Sequence, residues 1–389
     1  MKEGWTYKKL GEVCDVISGQ SPDGKFYNTE GQGTPFYQGK KDFTLKYIGE
    51  PSMWTTDTTK IAEKDDLLMS VRAPVGDINF ATQRICIGRG LAAIRTKGVV
   101  DKEYLFYFLL AIKNSIKGKE GVGFSSINRK EIMDINILYP SNLPEQRAIV
   151  ARLDSAFAQI DSLKANAEKQ LSEARQLFQK ALEEAMTPKE GWEEKTLGEV
   201  CDIFGRIGFR GYTTKDLVNS PQDGAISLSP SNIQDGIMDY SKLTYISWFK
   251  YEESPEIKIF NGDILLVKTG SSYGKSALVE NLPHEATINP QSVVLKNIKI
   301  DNKFFAYQLR TNRVREEFNQ FVSGTAIPTF SQAKLSTVPV YIPTASTQNS
   351  IVAHLDDLSS HVRALEDVLK RTKDECDALK QAMLREVFE

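Results

Sequence analysis

The chain repeats itself, and this constrains its fold more than any other feature. Residues 4–16 read GWTYKKLGEVCDV and residues 191–203 read GWEEKTLGEVCDI, with nine of thirteen positions identical. A second pair follows, EQRAIVARLD at 145–154 and TQNSIVAHLD at 347–356, with six of ten identical. Between these markers the copies barely match. A duplicated frame with divergent middles implies one architecture used twice with different content.

Each copy divides in two. Residues 1–144 and 187–346 are rich in Gly, Thr, aromatic and β-branched residues, broken by turns such as SPDG, EGQG, SPQDG and NGD. They read as short strands, with one helix late in each, near 102–117 and 301–321. Residues 145–186 contain neither Gly nor Pro. Apolar residues there recur by three and four at 153, 156, 160, 163, 167, 174, 177 and 181, broken only by Gln170. Residues 347–389 repeat the pattern from 355 to 383, broken only by Thr372. Such heptads indicate coiled coil, and each helix would be roughly 60 Å long. Thr187-Pro188 ends the first, since proline cannot continue a helix. Leu153, Ile160, Leu163 and Leu177 of one helix, and Leu355, Leu358, Val362, Leu365, Leu369 and Leu379 of the other, are the expected pairing residues. A homodimeric zipper or a plain helical bundle is the alternative, but duplication favours pairing within one chain. The expected fold is mixed: two globular α/β domains (1–144 and 187–346) joined by two long antiparallel coiled-coil helices (145–186 and 347–389), pseudo-twofold from the duplication.

Composition removes several function classes. Cys14, Cys86, Cys201 and Cys376 form no CxxC pair, and the three histidines show no HxxxH spacing. Neither a zinc site nor a disulfide framework is expected, which fits a reducing cytoplasm. No apolar run is long enough to span a membrane, and MKEGWTYKKL has no apolar leader core. Net charge is −2 for the chain and +3 for residues 1–144, so nucleic-acid binding would rest on local patches.

The layout resembles the specificity (S) subunit of type I restriction–modification enzymes. The resemblance spans essentially the whole chain and rests on GWTYKKLGEVCDVISG, GWEEKTLGEVCDI, PFYQGKKDF, DLLMSVRAPVGDI and LPEQRAIVARLD. It implies that each globular part is a target-recognition domain reading one half of a split site on double-stranded DNA. It also implies that the helices fix the spacing and dock two methyltransferase subunits, with restriction/translocase subunits joining through the complex. The chain itself would then be non-catalytic. It carries no NPPF or DPPY tetrapeptide, and S-adenosylmethionine, ATP and magnesium would sit on the partners. A rival from another class is a two-headed coiled-coil scaffold binding protein or carbohydrate.

One stretch points elsewhere. TGSSYGKS (269–276) follows the strand-like GDILLVK and looks like a phosphate-cradling loop. The Walker pattern needs four residues between its glycines and a helix after Lys-Ser; here three lie between Gly270 and Gly274, and strand-like sequence follows. In the repeat, Asp263 aligns with Asp66, Gly274 with Gly76 and Lys275 with Asp77. The stretch is therefore expected as a turn at the tip of a recognition domain, with Lys268, Ser272, Tyr273 and Lys275 facing DNA. Other candidates are Lys25 and Tyr27; Gln38, Lys40 and Lys41 of YQGKKDF; Arg72; Arg89 between two glycines; and Ser125 and Ser126. In the second copy they are Arg206 and Arg210 of FGRIGFRGY, Ser231 and Asn232, Gln291, and Thr325. Gln can pair with adenine, Lys and Arg with guanine or phosphate. Trp5 and Trp192, identical in both copies, are expected in the core.

Overall fold

The computed structural model describes residues 4–116, 119–120, 125–321, 329 and 331–388; Thr325 lies outside them, and Ser125 is described by its backbone alone. The chain divides into two compact units, residues 1–168 with 369–389, and residues 169–368. Each unit holds one globular head and a stretch of both long helices.

In the first unit the repeated opening forms strand Trp5–Lys9, helix Leu10–Val13 and strand Cys14–Ser18. The first strand pairs antiparallel with Asn136–Pro140. Glu12 reaches back to the Lys9 backbone N–H at 3.0 Å, capping the short helix. Gly11 allows close packing, since a Cβ there would lie 3.0 Å from the Met133 side chain. The second unit repeats this with Glu193–Thr196 on Pro339–Ile342, Glu199 on the Thr196 N–H at 2.7 Å, and Gly198 against Ser336. The LGEV repeat is thus a capped turn whose glycine admits a neighbouring helix. Trp5 packs on Tyr104 and Trp192 on Phe304, at ring separations of 6.4 and 6.1 Å.

Each head has two larger sheets. In the first head a four-stranded sheet runs in the order Cys14–Ser18, Leu91–Thr96, Leu67–Ser70, Ile78–Phe80. A five-stranded sheet runs Tyr27–Asn28, Trp54–Thr55, Thr34–Tyr37, Ile85–Ile87, Ile61–Ala62, with Thr34–Tyr37 parallel to Ile85–Ile87. In the second head the five-stranded sheet has the same order: Leu217–Val218, Tyr245–Ser247, Gly224–Leu228, Ala286–Ile288, Lys258–Ile259. Its parallel pair is Gly224–Leu228 with Ala286–Ile288. The other sheet begins in the matching order, Asp202–Gly205, Ser292–Lys296, Ile264–Val267, Ser276–Leu278, and adds the hairpin strands Ile237–Met238 and Ile233–Gln234. Strands Leu67–Ser70 and Ile264–Val267 are buried along their whole length, as central strands covered on both faces must be.

The late helices are shorter than their sequence patterns suggest. Lys102–Ile112 passes into a 3-10 turn, Lys113–Ser115. The second is broken into Asn302–Gln308 and Asn312–Phe321. At the break Thr311 is buried, its hydroxyl donating to the Gln308 carbonyl at 2.8 Å, and Glu183 caps the new helix at the Asn312 N–H, 2.8 Å away.

The long helices are Leu143–Ala185 and Ala345–Phe388. They run antiparallel in the first unit, where Asp161 pairs with Lys380, Lys164 with Asp377 and Glu168 with Lys373. In the second unit Arg175 holds Glu366 at 2.6 Å. Leu153, Ile160, Leu355 and Leu369 are buried, and Leu358, Val362 and Leu365 half-buried. Leu163, Leu177 and Leu379 are not: they are 59%, 67% and 50% exposed. The inward positions are Lys164, Leu171 and Phe178 instead, so in the first helix the spacing alternates as four then three after Leu153. Gln170 is therefore no break, because Leu171 takes its place. The helix ends pack on the heads. Phe388 meets Tyr104 and Phe108 in the first unit, and Phe178, Leu182 and Leu355 cluster with Phe304 and Tyr307 in the second.

Candidate nucleic-acid interface

Backbone hydrogen bonds gather four loops of the first head at the end of the central strand. Val71 N–H donates to Gly90 O (3.0 Å), Gly88 N–H to Tyr37 O (2.8 Å), Gly90 N–H to Gln38 O (3.1 Å) and Gln20 N–H to Ile87 O (2.9 Å). Residues 19–21, 38–42, 71–77 and 88–90 thus form one surface. Glycine is needed at 88 and 90: added Cβ atoms would lie 2.8 Å from Gln38 Cα and 2.6 Å from Gln38 O. Ser21 Oγ donates to Gln38 Oε1 at 2.8 Å, and the Arg89 N–H donates to Ser21 Oγ at 3.3 Å. Gln38 is thereby oriented by its oxygen, with its amide nitrogen unpartnered among the described residues.

The second head repeats part of this frame. Asn289 N–H donates to Leu228 O (2.8 Å), and Lys268 N–H to Gln291 O (2.8 Å). Gly274 N–H donates to Val267 O as Gly76 N–H does to Ser70 O, at 2.8 and 3.0 Å. Val267 N–H meets Lys275 O as Ser70 N–H meets Asp77 O, both at 2.8 Å. Below the loops, Asp66 holds Arg95 and Asp263 holds Lys296, both at 2.7 Å. Arg72 bridges Ser126 where Thr269 bridges Thr329. The frame is common, but what it presents is not: Val71, Arg72, Asp77, Gly88 and Gly90 stand where the second head has Lys268, Thr269, Lys275, Asn289 and Gln291.

The candidates are distributed unevenly over this surface. Lys41, Arg72, Arg89, Lys275 and Gln291 are exposed, and the four cations make no ion pair among the described residues. Lys25 is exposed beside Asp23 at 3.4 Å. Tyr27 stacks on Phe36, donates to Pro22 O, and lies near Ser21 and Arg89. Ser126 and Ser231 are exposed, and Ser272 is half-buried. Lys268 is half-buried, and desolvation holds its ammonium pKa below the ordinary value with no carboxylate partner among the described residues. Tyr273 hydrogen-bonds Asn319, and Arg210 pairs with Glu256 at 3.3 Å.

Arg206 and Asn232 require correction. Arg206 is 7% exposed and spends its guanidinium on Ile288 O, Thr287 Oγ1 and Arg210 O. Asn232 is 4% exposed and donates to the Asp239 and Lys242 carbonyls. Both hold loops from within because buried backbone carbonyls need donors. Lys40 is ion-paired to Asp77, whose other carboxylate oxygen holds Lys113. Sequence reasoning missed Lys113 and Ser21, since nothing near either position marks it as part of a distant loop cluster.

The Walker look-alike is a pair of tight turns. Tyr273 N–H donates to Gly270 O and Lys275 N–H to Ser272 O, with Gly270 and Gly274 at φ +99° and +79°. Strand Ser276–Leu278 follows and pairs with Ile264–Leu266. The helix N-terminus that binds phosphate in such loops is replaced by a hairpin strand.

Similarity to known proteins agrees with this architecture. The chain matches the type I restriction modification DNA specificity domain twice, over residues 2–173 and 189–371. A Methanocaldococcus jannaschii chain provisionally named the type I restriction enzyme MjaX specificity subunit is 40% identical over 177 residues, 44% of this chain and 41% of that relative. The type I restriction enzyme EcoDI specificity subunit of Escherichia coli is 22% identical over 413 residues, covering 99% of this chain and 88% of its own. Among solved structures, a chain of a type I R-M system superposes with a TM-score of 0.74 at 20% identity, covering 100% and 98% of the two chains. The HsdS subunit from Thermoanaerobacter tengcongensis gives 0.52 at 19% identity, covering 100% and 97%. With both domain copies in one polypeptide, this chain belongs to the type I restriction–modification DNA specificity family.

Proposed function

We propose that each head reads one half of a bipartite duplex DNA target through its loop surface. The observation that carries this reading is the shared backbone frame with exchanged side chains. Two different half-sites require one docking geometry and two sets of base-edge donors and acceptors. Exposed cations with no ion pair among the described residues supply the phosphate contacts that position each head. The long helices fix the spacing of the half-sites. They also dock two methyltransferase subunits, a role supported by Leu177 and Leu379, which occupy equivalent repeat positions and remain exposed. Methyl transfer and cleavage, with S-adenosylmethionine, ATP and magnesium, belong to partner subunits. No comparison favours a carbohydrate- or protein-binding scaffold.

The test is a competition binding assay with the full chain and its methyltransferase partner, using duplexes scrambled in one half-site at a time. Each scramble is expected to reduce affinity, and exchanging loop residues of one head to alter preference in one half only. Equal binding to all duplexes would overturn the reading.

A further inference from the structure

Asp77 closes the 71–77 loop, and its backbone is fixed by paired bonds with Ser70: Ser70 N–H to Asp77 O at 2.8 Å, and Asp77 N–H to Ser70 Oγ at 2.9 Å. Its side chain is 20% exposed and takes one ammonium on each oxygen, Lys40 from the neighbouring loop and Lys113 from beyond the late helix. These lysines are 34% and 39% exposed, so each is shielded from water on part of its surface. The two ammoniums keep the carboxyl below its ordinary pKa despite burial. At the equivalent place the second head has Lys275, exposed and with no ion pair among the described residues.

We propose that Asp77 is a positioning residue that withholds Lys40 and Lys113 from DNA phosphates, so that the first head draws less sequence-independent attraction than its lysines would otherwise supply. The inference rests on the DNA-reading function proposed above. A lysine gains affinity for any sequence by releasing a condensed counterion from the phosphate it neutralises. A lysine already neutralised by a carboxylate must give up that partner first, and the exchange is nearly balanced. Two ammoniums on one carboxylate also fix the 38–42 loop, on which Gln38 is presented. The carboxylate thus lowers the unspecific component while holding a base-reading residue in place.

Asp77→Asn tests this in the full chain, with salt-dependent binding measured on random-sequence duplex DNA and on the cognate duplex. The expected result is a log–log salt slope steeper by about 1 to 2, with random-sequence affinity raised most at low salt. Asp77→Glu should retain the wild-type slope. Lys40→Gln should leave the slope unchanged in wild type and reduce it by about 1 in the Asp77→Asn background. This second comparison also serves if Asp77→Asn is poorly folded, since a lower slope for Lys40→Gln alone would overturn the inference. So would an unchanged slope for Asp77→Asn, or equal weakening on both duplexes. If the wild-type chain prefers no duplex at all, the functional reading itself fails, which is a separate outcome.

Discussion

The side-chain oxygen of Gln146 accepts the backbone N–H of Asp101 at 2.7 Å, tying the first long helix to the start of the late helix of its head. Its amide donates to Pro140 O at 2.8 Å. Gln348 repeats the arrangement on Asp301 N–H at 3.0 Å and Pro343 O at 2.9 Å. Both glutamines are nearly fully buried. Two turns on, Asp154 accepts from Tyr107 and Asp356 from Tyr307. The shared residues of EQRAIVARLD and TQNSIVAHLD are therefore the attachment of helix to head.

Gln146→Leu should leave a buried N–H and a buried carbonyl unpaired. Each costs about 1 to 3 kcal/mol, so a loss of about 2 to 6 kcal/mol is expected in urea unfolding. Gln348→Leu should behave alike. A loss below about 1 kcal/mol at either site would show that water replaces the amide.

The helix register separates two kinds of leucine. Leu182 is fully buried, and Leu182→Ala should cost about 2 to 5 kcal/mol. Leu163→Ser and Leu177→Ser, on exposed positions, should each change stability by less than about 0.5 kcal/mol. Assembly gives the opposite ranking: Leu177→Asp and Leu379→Asp should weaken association with the methyltransferase subunit, measured by light scattering after gel filtration. Wild-type assembly by both variants would remove these leucines from the docking surface.

The repeat made the two-head plan, the long helices and the pairing of Gly76 with Gly274 legible, because each is written as identity or periodicity. The helix register was not, for a physical reason. Apolar residues stand at adjacent positions, as with Leu177 and Phe178, because one helix must serve a partner helix, a head and an exposed face. Spacing alone cannot assign which of two neighbouring stripes turns inward. The loop surface was legible as a set of polar turns, but not in its division of labour. Arg206 and Arg89 both lie near glycines in sequence, yet one supports a backbone from inside and the other is exposed. Only tertiary contact with Ile288 distinguishes them.

If Lys268 meets a DNA phosphate, it links binding to pH. Burial lowers its pKa in the free protein, and a DNA phosphate would draw it back up. Below the lowered value the lysine is charged both free and bound, and no proton moves. Between the lowered and the restored value, binding takes up a proton, so affinity falls as pH rises through that alkaline window. Calorimetry in two buffers of different ionisation enthalpy should detect the uptake for wild type and not for Lys268→Gln. Equal uptake in both would place Lys268 away from phosphate.

Lys275 and Arg206 lie in the same head and are expected to fail differently. Lys275 is exposed, and Lys275→Ala should leave the melting temperature unchanged. If its ammonium meets phosphate, the salt slope falls by about 1 with no change in base preference. If it meets a base edge, discrimination at one position of the second half-site falls by about 1 to 3 kcal/mol. Arg206→Met removes donors from Ile288 O and Arg210 O. It should lower stability by about 1 to 3 kcal/mol for each carbonyl left unpaired. DNA binding should weaken only as the 206–212 loop loosens. A variant of Arg206 that kept full stability and lost one phosphate contact would return this arginine to the interface.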